Sequence, residues 1–298
     1  MKSSRVAAQR TRAILGHLTR MSSSGSAAAP WRDTFVSHVE DMDEPSFVLS
    51  TLHPSSSSSS ASETNILPRA RTVIFRGMWA GLTANPKNPA HLNPSGVYET
   101  DLPTLTTDAR MEKIPELFES AAGGRGAEEL TQSRRGGPVE AVFWMPRART
   151  QWRLRGHTYV IGPDIDSDAA TPVRAALEGH MRRRNDDGDA GSWSWSRELT
   201  AHFGNLGPLM RGSFRNPPPG TPLSEVSGEG GGPQLGQRVE DLEDEVARRN
   251  FRVIVVVPEE VDRVDLTDPE RARRWNYSLI GAETPESAPS WKVTELWP

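Results

Sequence analysis

Arg71 and Arg76 stand five residues apart, flanking the apolar stretch Thr72-Val73-Ile74-Phe75. Arg110 and Lys113 follow Thr107 in Thr107-Asp108-Ala109-Arg110-Met111-Glu112-Lys113, and Gln151 opens Gln151-Trp152-Arg153-Leu154-Arg155-Gly156. Guanidinium and ammonium groups suit a phosphate, and an amide that both donates and accepts suits the edge of a polar ring. Folded together, the three segments could hold a phosphate and a flat polar ring in one place. Residues five apart on a regular strand point to opposite faces. Arg71 and Arg76 therefore share a ligand only across a strand edge or through a bulge; otherwise both are solvated arginines at strand ends. Arg110 and Lys113 enter a helix whose start either meets an anion or is simply exposed. Gln151 is likewise either a ring contact or a surface residue.

Other chemistries find little support. The seven histidines show no HxH or HExxH spacing, so no metal site is expected. No Gly-x-Ser-x-Gly elbow and no Gly-Lys-Ser/Thr phosphate loop occurs. The absence of cysteine excludes disulfides, thiolate zinc sites and thiol nucleophiles. A net charge of -4 argues against nucleic acid as a partner, and no apolar run approaches the roughly 18 residues that span a bilayer. Nine tryptophans are expected chiefly as packing.

The elements that must position the cations are mostly strands. Trp31, Phe35 and Val39 recur at helical spacing, and residues 47–52 read as a strand. Residues 113–122 start a helix with Ile114, Leu117 and Phe118 on one face, Pro115 being tolerated in its first turn. Residues 139–145 and 151–161 read as strands; in the second, Trp152, Leu154, Thr158 and Val160 face one way and Gln151, Arg153, Arg155 and His157 the other. Residues 238–250 carry Val239, Leu242 and Val246 at helical spacing. The β-branched run 251–257 reads as a central strand, followed by short strands at 261–266 and 291–297. With 24 prolines and 25 glycines, much of the rest is expected as loop insertion, at 54–65, 123–137, 162–192 and 211–237. Residues 1–30 contain five basic residues and no acid, which reads as a mitochondrial transit segment or a disordered tail of a cytoplasmic protein, ahead of one domain over 31–298. Strands clustered rather than alternating with helices give an α+β class, an antiparallel barrel with peripheral helices.

Five motifs in order, Pro-Arg-x-Arg-Thr-Val-Ile-Phe-Arg-Gly at 68–77, Thr-Asp-x-Arg-x-x-Lys at 107–113, Gln-x-Arg-Leu-x-Gly at 151–156, Pro-Pro-Gly at 218–220 and Trp-x-x-x-x-Leu-x-Pro ending at 298, resemble the pyridoxamine 5'-phosphate oxidase-like flavoproteins. The nearest likeness is to a branch named after a cyanobacterial FMN-binding domain. The resemblance implies an FMN-binding split β-barrel, a homodimer with two flavin sites at the subunit interface, and a small-molecule substrate. It implies cofactor contacts by Arg71, Arg76, Thr107, Arg110, Lys113, Gln151 and Arg274, and nominates no catalytic side chain. Two departures stand out. Met111 and Glu112 occupy the places of a Ser-Arg pair that contacts the phosphate, and Glu270 and Ala272 those of an Arg-x-His pair that holds a vitamin B6 phosphate. A carboxylate at 270 repels a phosphate. The resemblance thus extends to an FMN-dependent oxidoreductase of unidentified substrate, or to an FMN carrier or sensor without turnover.

Overall fold

The computed structural model describes residues 27–56, 64–121, 132–184, 192–225, 236–281 and 289–298. Most of the basic N-terminal segment, and the centres of the insertions at 57–63, 122–131, 185–191 and 226–235, lie outside the described residues.

The longest apolar run builds the longest strand. β8 (Phe251–Asp265) pairs along one edge with β6 (Thr150–Ile161), which pairs with β5 (Arg134–Met145). β5 pairs with β1 (Ser46–Ser56), and β1 with β2 (Thr64–Ile74), all antiparallel. The other edge of β8 is shared: its first half takes β4 (Thr104–Asp108), its second half β9 (Arg273–Ile280), and β10 (Ser290–Leu296) lies outside β9. β3 (Tyr98–Glu99) and β7 (Arg182–Arg183) form a separate two-stranded ladder.

A barrel results because the chain beyond β2 turns onto β4. Arg76 N donates to Thr104 O and Thr104 N to Gly77 O, each at 2.9 Å, and Trp79 N donates to Leu102 O at 2.8 Å. Gly77 sits at φ 95°, a conformation that side-chain-bearing residues rarely adopt. The wall is complete except between β1 and β5, which share only Val48–Val142, Leu49–Ala141 and Ser50–Glu140 before diverging. This is the α+β split barrel that the motifs imply.

Two cores follow from strand parity. Phe47, Leu49, Ala141, Phe143, Trp152, Leu154, Ile254 and Val256 point into the barrel, where Phe35 from α1 (Arg32–Glu40), Trp31 just before it, and Ile114, Leu117 and Phe118 from α2 (Lys113–Glu119) join them. Phe251, Val253, Val255 and Val257 point out of it, under α3 (Thr171–Glu178), α4 (Trp195–Gly204), α5 (Pro208–Ser213) and α6 (Glu245–Asn250). The run 251–257 is apolar throughout because both its faces are covered. Alternation in β6 is interrupted by a bulge: Arg155 pairs with Glu260 and Gly156 with Pro258, leaving Glu259 unmatched. A Cβ on Gly156 would lie 1.9 Å from Val257 O, so only glycine fits there.

Four expectations are corrected. The helix expected over 238–250 forms only from Glu245, after an Asp244 cap whose side chain accepts from Ala247 N; Val239 is buried, but from an irregular segment. Part of the insertion 162–192 is ordered, with Pro172 starting α3 and Val173 and Leu177 filling the second core. Strand β5 begins at Arg134, inside a stretch read as loop, because its glycines leave room against Thr158 and Ser120. Residues 261–266 are no separate strand; most of them continue β8 past the bulge.

The second core contains a fully buried imidazole. His202 stacks on Trp79 at 5.9 Å and 9°, and neither of its ring nitrogens has a hydrogen-bond partner among the described residues. Burial, with the nearby Arg76 charge, pulls its pKa down to about 3. Below the unfolded value near 6.5 the unfolded chain takes up a proton that the native chain refuses, so this contribution to stability is lost as pH falls from there toward 3. Glu198, whose pKa burial raises, acts with the opposite sign. The variant His202→Phe should therefore flatten the fall of stability between pH 6 and 4, by about 1.4 kcal/mol per pH unit at most, measured by urea unfolding; an unchanged slope would show that His202 is not the titrating group.

Candidate functional site

Helix α2 packs against both β1 and β5, across the opening between them. Its apolar residues fill the barrel, and its first turn carries Lys113 and Glu116, three apart and so on one face. Lys113 is 5% exposed and Glu116 1%.

Arg71 meets them from β2. Its Nη2 donates to Glu116 Oε2 at 2.5 Å, and its Nη1 to the Thr51 hydroxyl, which itself donates to the same carboxylate oxygen. Lys113 Nζ donates to Thr107 Oγ1 at 3.0 Å, and His53 Nδ1 lies 3.5 Å from Glu116 Oε1. Burial first, and then the Arg71 charge, bring the Lys113 pKa down to about 8, against the opposing pull of Glu116 and Asp108. Arg71, Thr107 and Lys113 are thus brought together at the open side of the barrel. Thr51, Glu116 and His53 belong to the same cluster, although nothing in the sequence singled them out. The spacing of Glu116 from Lys113 was the one signal available; the approach of Thr51 depends on the β1–β2 register, which pairs Leu49 with Arg71. Thr51 also lines a cavity of about 540 Å³, together with Leu52, Pro68, Val139, Glu140 and Arg155.

The remaining candidates lie elsewhere. Arg76 follows Phe75, which packs on the barrel core, and its charge is felt by His202 in the second core. Its Nε is buried without a partner, and its guanidinium has no hydrogen bond or ion pair among the described residues. Arg110 grips Asp108 with Nε and Nη2 at 2.9 and 2.7 Å and donates to the Phe214 and Asn216 carbonyls, so its donors are occupied inside the protomer.

Gln151 and Arg274 share the outer face of the sheet. They are neighbours in one row, each paired with Val264 of β8. Arg274 donates to Asp262 Oδ2 from Nε and Nη2, both at 2.9 Å, and Arg153 donates to the other oxygen at 3.1 Å. The Gln151 amide has no partner among the described residues. Exposed Val48, Ile74 and Trp144 border this face.

This donor set fits a phosphorylated flavin. A guanidinium and an ammonium with one acceptor for its three N–H bonds stand with the Thr107 hydroxyl at a partly desolvated end of the barrel, which suits a phosphate. The Gln151 amide has unspent hydrogen-bonding capacity on the outer face, which suits a ring edge, whereas Arg76 Nε, also without a partner, is buried toward the second core. In such a complex Arg71, Lys113 and Thr107 would hold the phosphate, and Gln151 the ring.

Residues 28–162 match the family described as pyridoxamine 5'-phosphate oxidase, FMN-binding domain. The match includes all the site candidates except Arg274, and it does not single out the cyanobacterial branch. No curated protein sequence matches the chain. Among solved structures, a pyridoxamine 5'-phosphate oxidase-related, FMN-binding protein from Nostoc punctiforme shares the fold, with a TM-score of 0.50 and 20% identity over 91% of this chain and 99% of that one. PhzG from Burkholderia lata, solved with tetrahydrophenazine-1-carboxylic acid, aligns over 92% of this chain and all of its own at 11% identity and a TM-score of 0.38. Over residues 28–162 the chain thus matches the FMN-binding domain of the pyridoxamine 5'-phosphate oxidase family, and it shares the fold of an FMN-binding protein.

Proposed function

We propose that the protein is an FMN-dependent oxidoreductase acting on a small molecule, and that two copies of the chain share each flavin. The observation that carries this reading is the division of the candidate residues. Arg71, Thr107 and Lys113 gather at the open side of the barrel, whereas Gln151 and Arg274 stand on the outer face of the sheet. Three strand spacings separate Arg71 on β2 from Gln151 on β6, about 14 Å, and the two point to opposite sides of the sheet. One planar cofactor meets both groups most simply when the phosphate end belongs to one protomer and the ring-edge amide to the next. The outer face suits such a pairing, since its charges are already balanced among Arg153, Asp262 and Arg274 and its border is apolar.

FMN, when bound, supplies the two-electron redox chemistry. The chain's own residues would bind and orient: Arg71 and Lys113 neutralise the phosphate, and Gln151 hydrogen-bonds the ring. The purified protein is expected to be yellow, to elute as a dimer carrying two flavins, and to bleach with NAD(P)H or dithionite and recover in air. Colour without turnover on any reductant or amine substrate would point instead to a flavin carrier, and a colourless protein that refuses added FMN would overturn the reading.

Lys113 gives the site a pH dependence of definite sign. The ammonium that meets the phosphate is lost as pH rises through about 8, while the phosphate, with a second pKa of about 6, stays dianionic. FMN affinity should therefore fall above pH 8, by up to about tenfold per pH unit, as followed by quenching of flavin fluorescence. Lys113→Met should bind FMN weakly at every pH and show no such inflection; an inflection that survives the substitution would assign it to another group.

A further inference from the structure

We propose that Glu116 is the positioning residue of the phosphate site: its buried carboxylate fixes the Arg71 guanidinium from the inside so that the outer edge faces the anion. The inference deepens the flavin reading above and rests on Arg71 contacting the phosphate. Glu116 is 1% exposed, while the Arg71 side chain keeps 23% of its surface. The carboxylate therefore sits behind the guanidinium and not in front of it. Its helix is anchored by Ile114, Leu117 and Phe118 in the barrel core, so the carboxylate cannot swing out to compete with a ligand.

The contacts form a closed ring. Nη2 of Arg71 donates to Glu116 Oε2, Nη1 donates to the Thr51 hydroxyl, and that hydroxyl donates back to Oε2. With both Nη atoms tied, the plane of the guanidinium is set, and Nε has no acceptor among the described residues. A planar cation held in this way loses little freedom when it binds an anion. The groups facing Glu116 are Arg71 from β2, Thr51 and His53 from β1 and Lys113 from its own helix. The same carboxylate offsets the repulsion of Arg71 on Lys113, so one acid serves both cations, the first by contact and the second by keeping it protonated.

The test compares FMN with riboflavin, which lacks the phosphate, by fluorescence quenching on the full-length apoprotein, with circular dichroism confirming the fold. Glu116→Ala should weaken FMN by about tenfold or more and leave riboflavin within about twofold, and Glu116→Gln, which keeps an acceptor for Arg71, should recover part of the loss. Should Glu116→Ala fail to fold, the pH profile of Glu116→Gln decides. Its FMN affinity should begin to fall at a lower pH than in the wild type, because Lys113 has lost the neighbour that keeps it charged. Equal losses for both flavins would reduce Glu116 to a structural role, and unchanged or tighter FMN binding in either variant would make it a spectator or a competitor; each overturns the proposal. A wild-type chain that takes neither flavin overturns the flavin reading itself and this proposal with it, an outcome distinct from the others because it shows before any substitution is made.

Discussion

The opening between β1 and β5 is the constraint on which the polar chemistry of this protein depends. Three residue pairs hold the two strands together, and beyond Ser50 and Glu140 they diverge. A helix must close the gap, and a helix presents a first turn as well as an apolar stripe. Lys113 and Glu116 enter the protein interior because Ile114, Leu117 and Phe118 must. Burying a charge is costly unless a partner is supplied, and breaking such a pair typically costs about 3–5 kcal/mol. The Arg71–Glu116 contact meets that requirement, while Lys113, with only the Thr107 hydroxyl, retains part of the desolvation cost as a lowered pKa. An incompletely satisfied cation at the edge of an apolar barrel favours any anion that reaches it.

Strand parity separates the two arginines of the first motif. Arg71 lies in register with Leu49 and Ala141, whose side chains enter the barrel; Arg76, beyond Phe75, lies toward the helical layer that covers the outer side of β8. The positive φ of Gly77 turns the chain onto β4 directly after it. One short segment thereby serves three purposes: a cation for the open side of the barrel, the hydrogen bonds that close its wall, and a guanidinium whose charge reaches His202. Of the helical layer, α4 supplies the imidazole that feels the Arg76 charge.

Much of this was legible in the sequence wherever one local rule governed the outcome. The five-residue spacing of Arg71 and Arg76 foretold opposite faces, and the unbroken run 251–257 foretold a central strand, which the structure covers on both sides. The helix stripe of Trp31, Phe35 and Val39 was readable for the same reason. Tertiary context overrode spacing elsewhere. Val239, Leu242 and Val246 recur at helical intervals, yet the helix waits for the Asp244 cap. Gly136 and Gly137 read as loop, but in β5 they admit the close approach of Thr158 and Ser120. The Arg71–Thr51–Glu116 ring was invisible because it joins three elements whose register no single segment specifies.

The C-terminal part argues about substrate rather than cofactor. By resemblance, Glu270 and Ala272 stand where related oxidases hold a vitamin B6 phosphate, and one of the two neighbouring arginines is already engaged within the protomer. Arg273 is committed to Glu295 across β10 and stacks on Trp275 at 4.5 Å. Glu270 is exposed beside Asp268, whose carboxylate accepts its N–H, so that turn gathers negative charge. The cavity beside Thr51 has the same bias, with Glu140, Glu259 and Glu260 on its wall against Arg155. Cations thus gather around Glu116 at the open side of the barrel, and carboxylates line the turn at 268–270 and the wall of the neighbouring cavity. Repulsion from these carboxylates disfavours a further anion at either place.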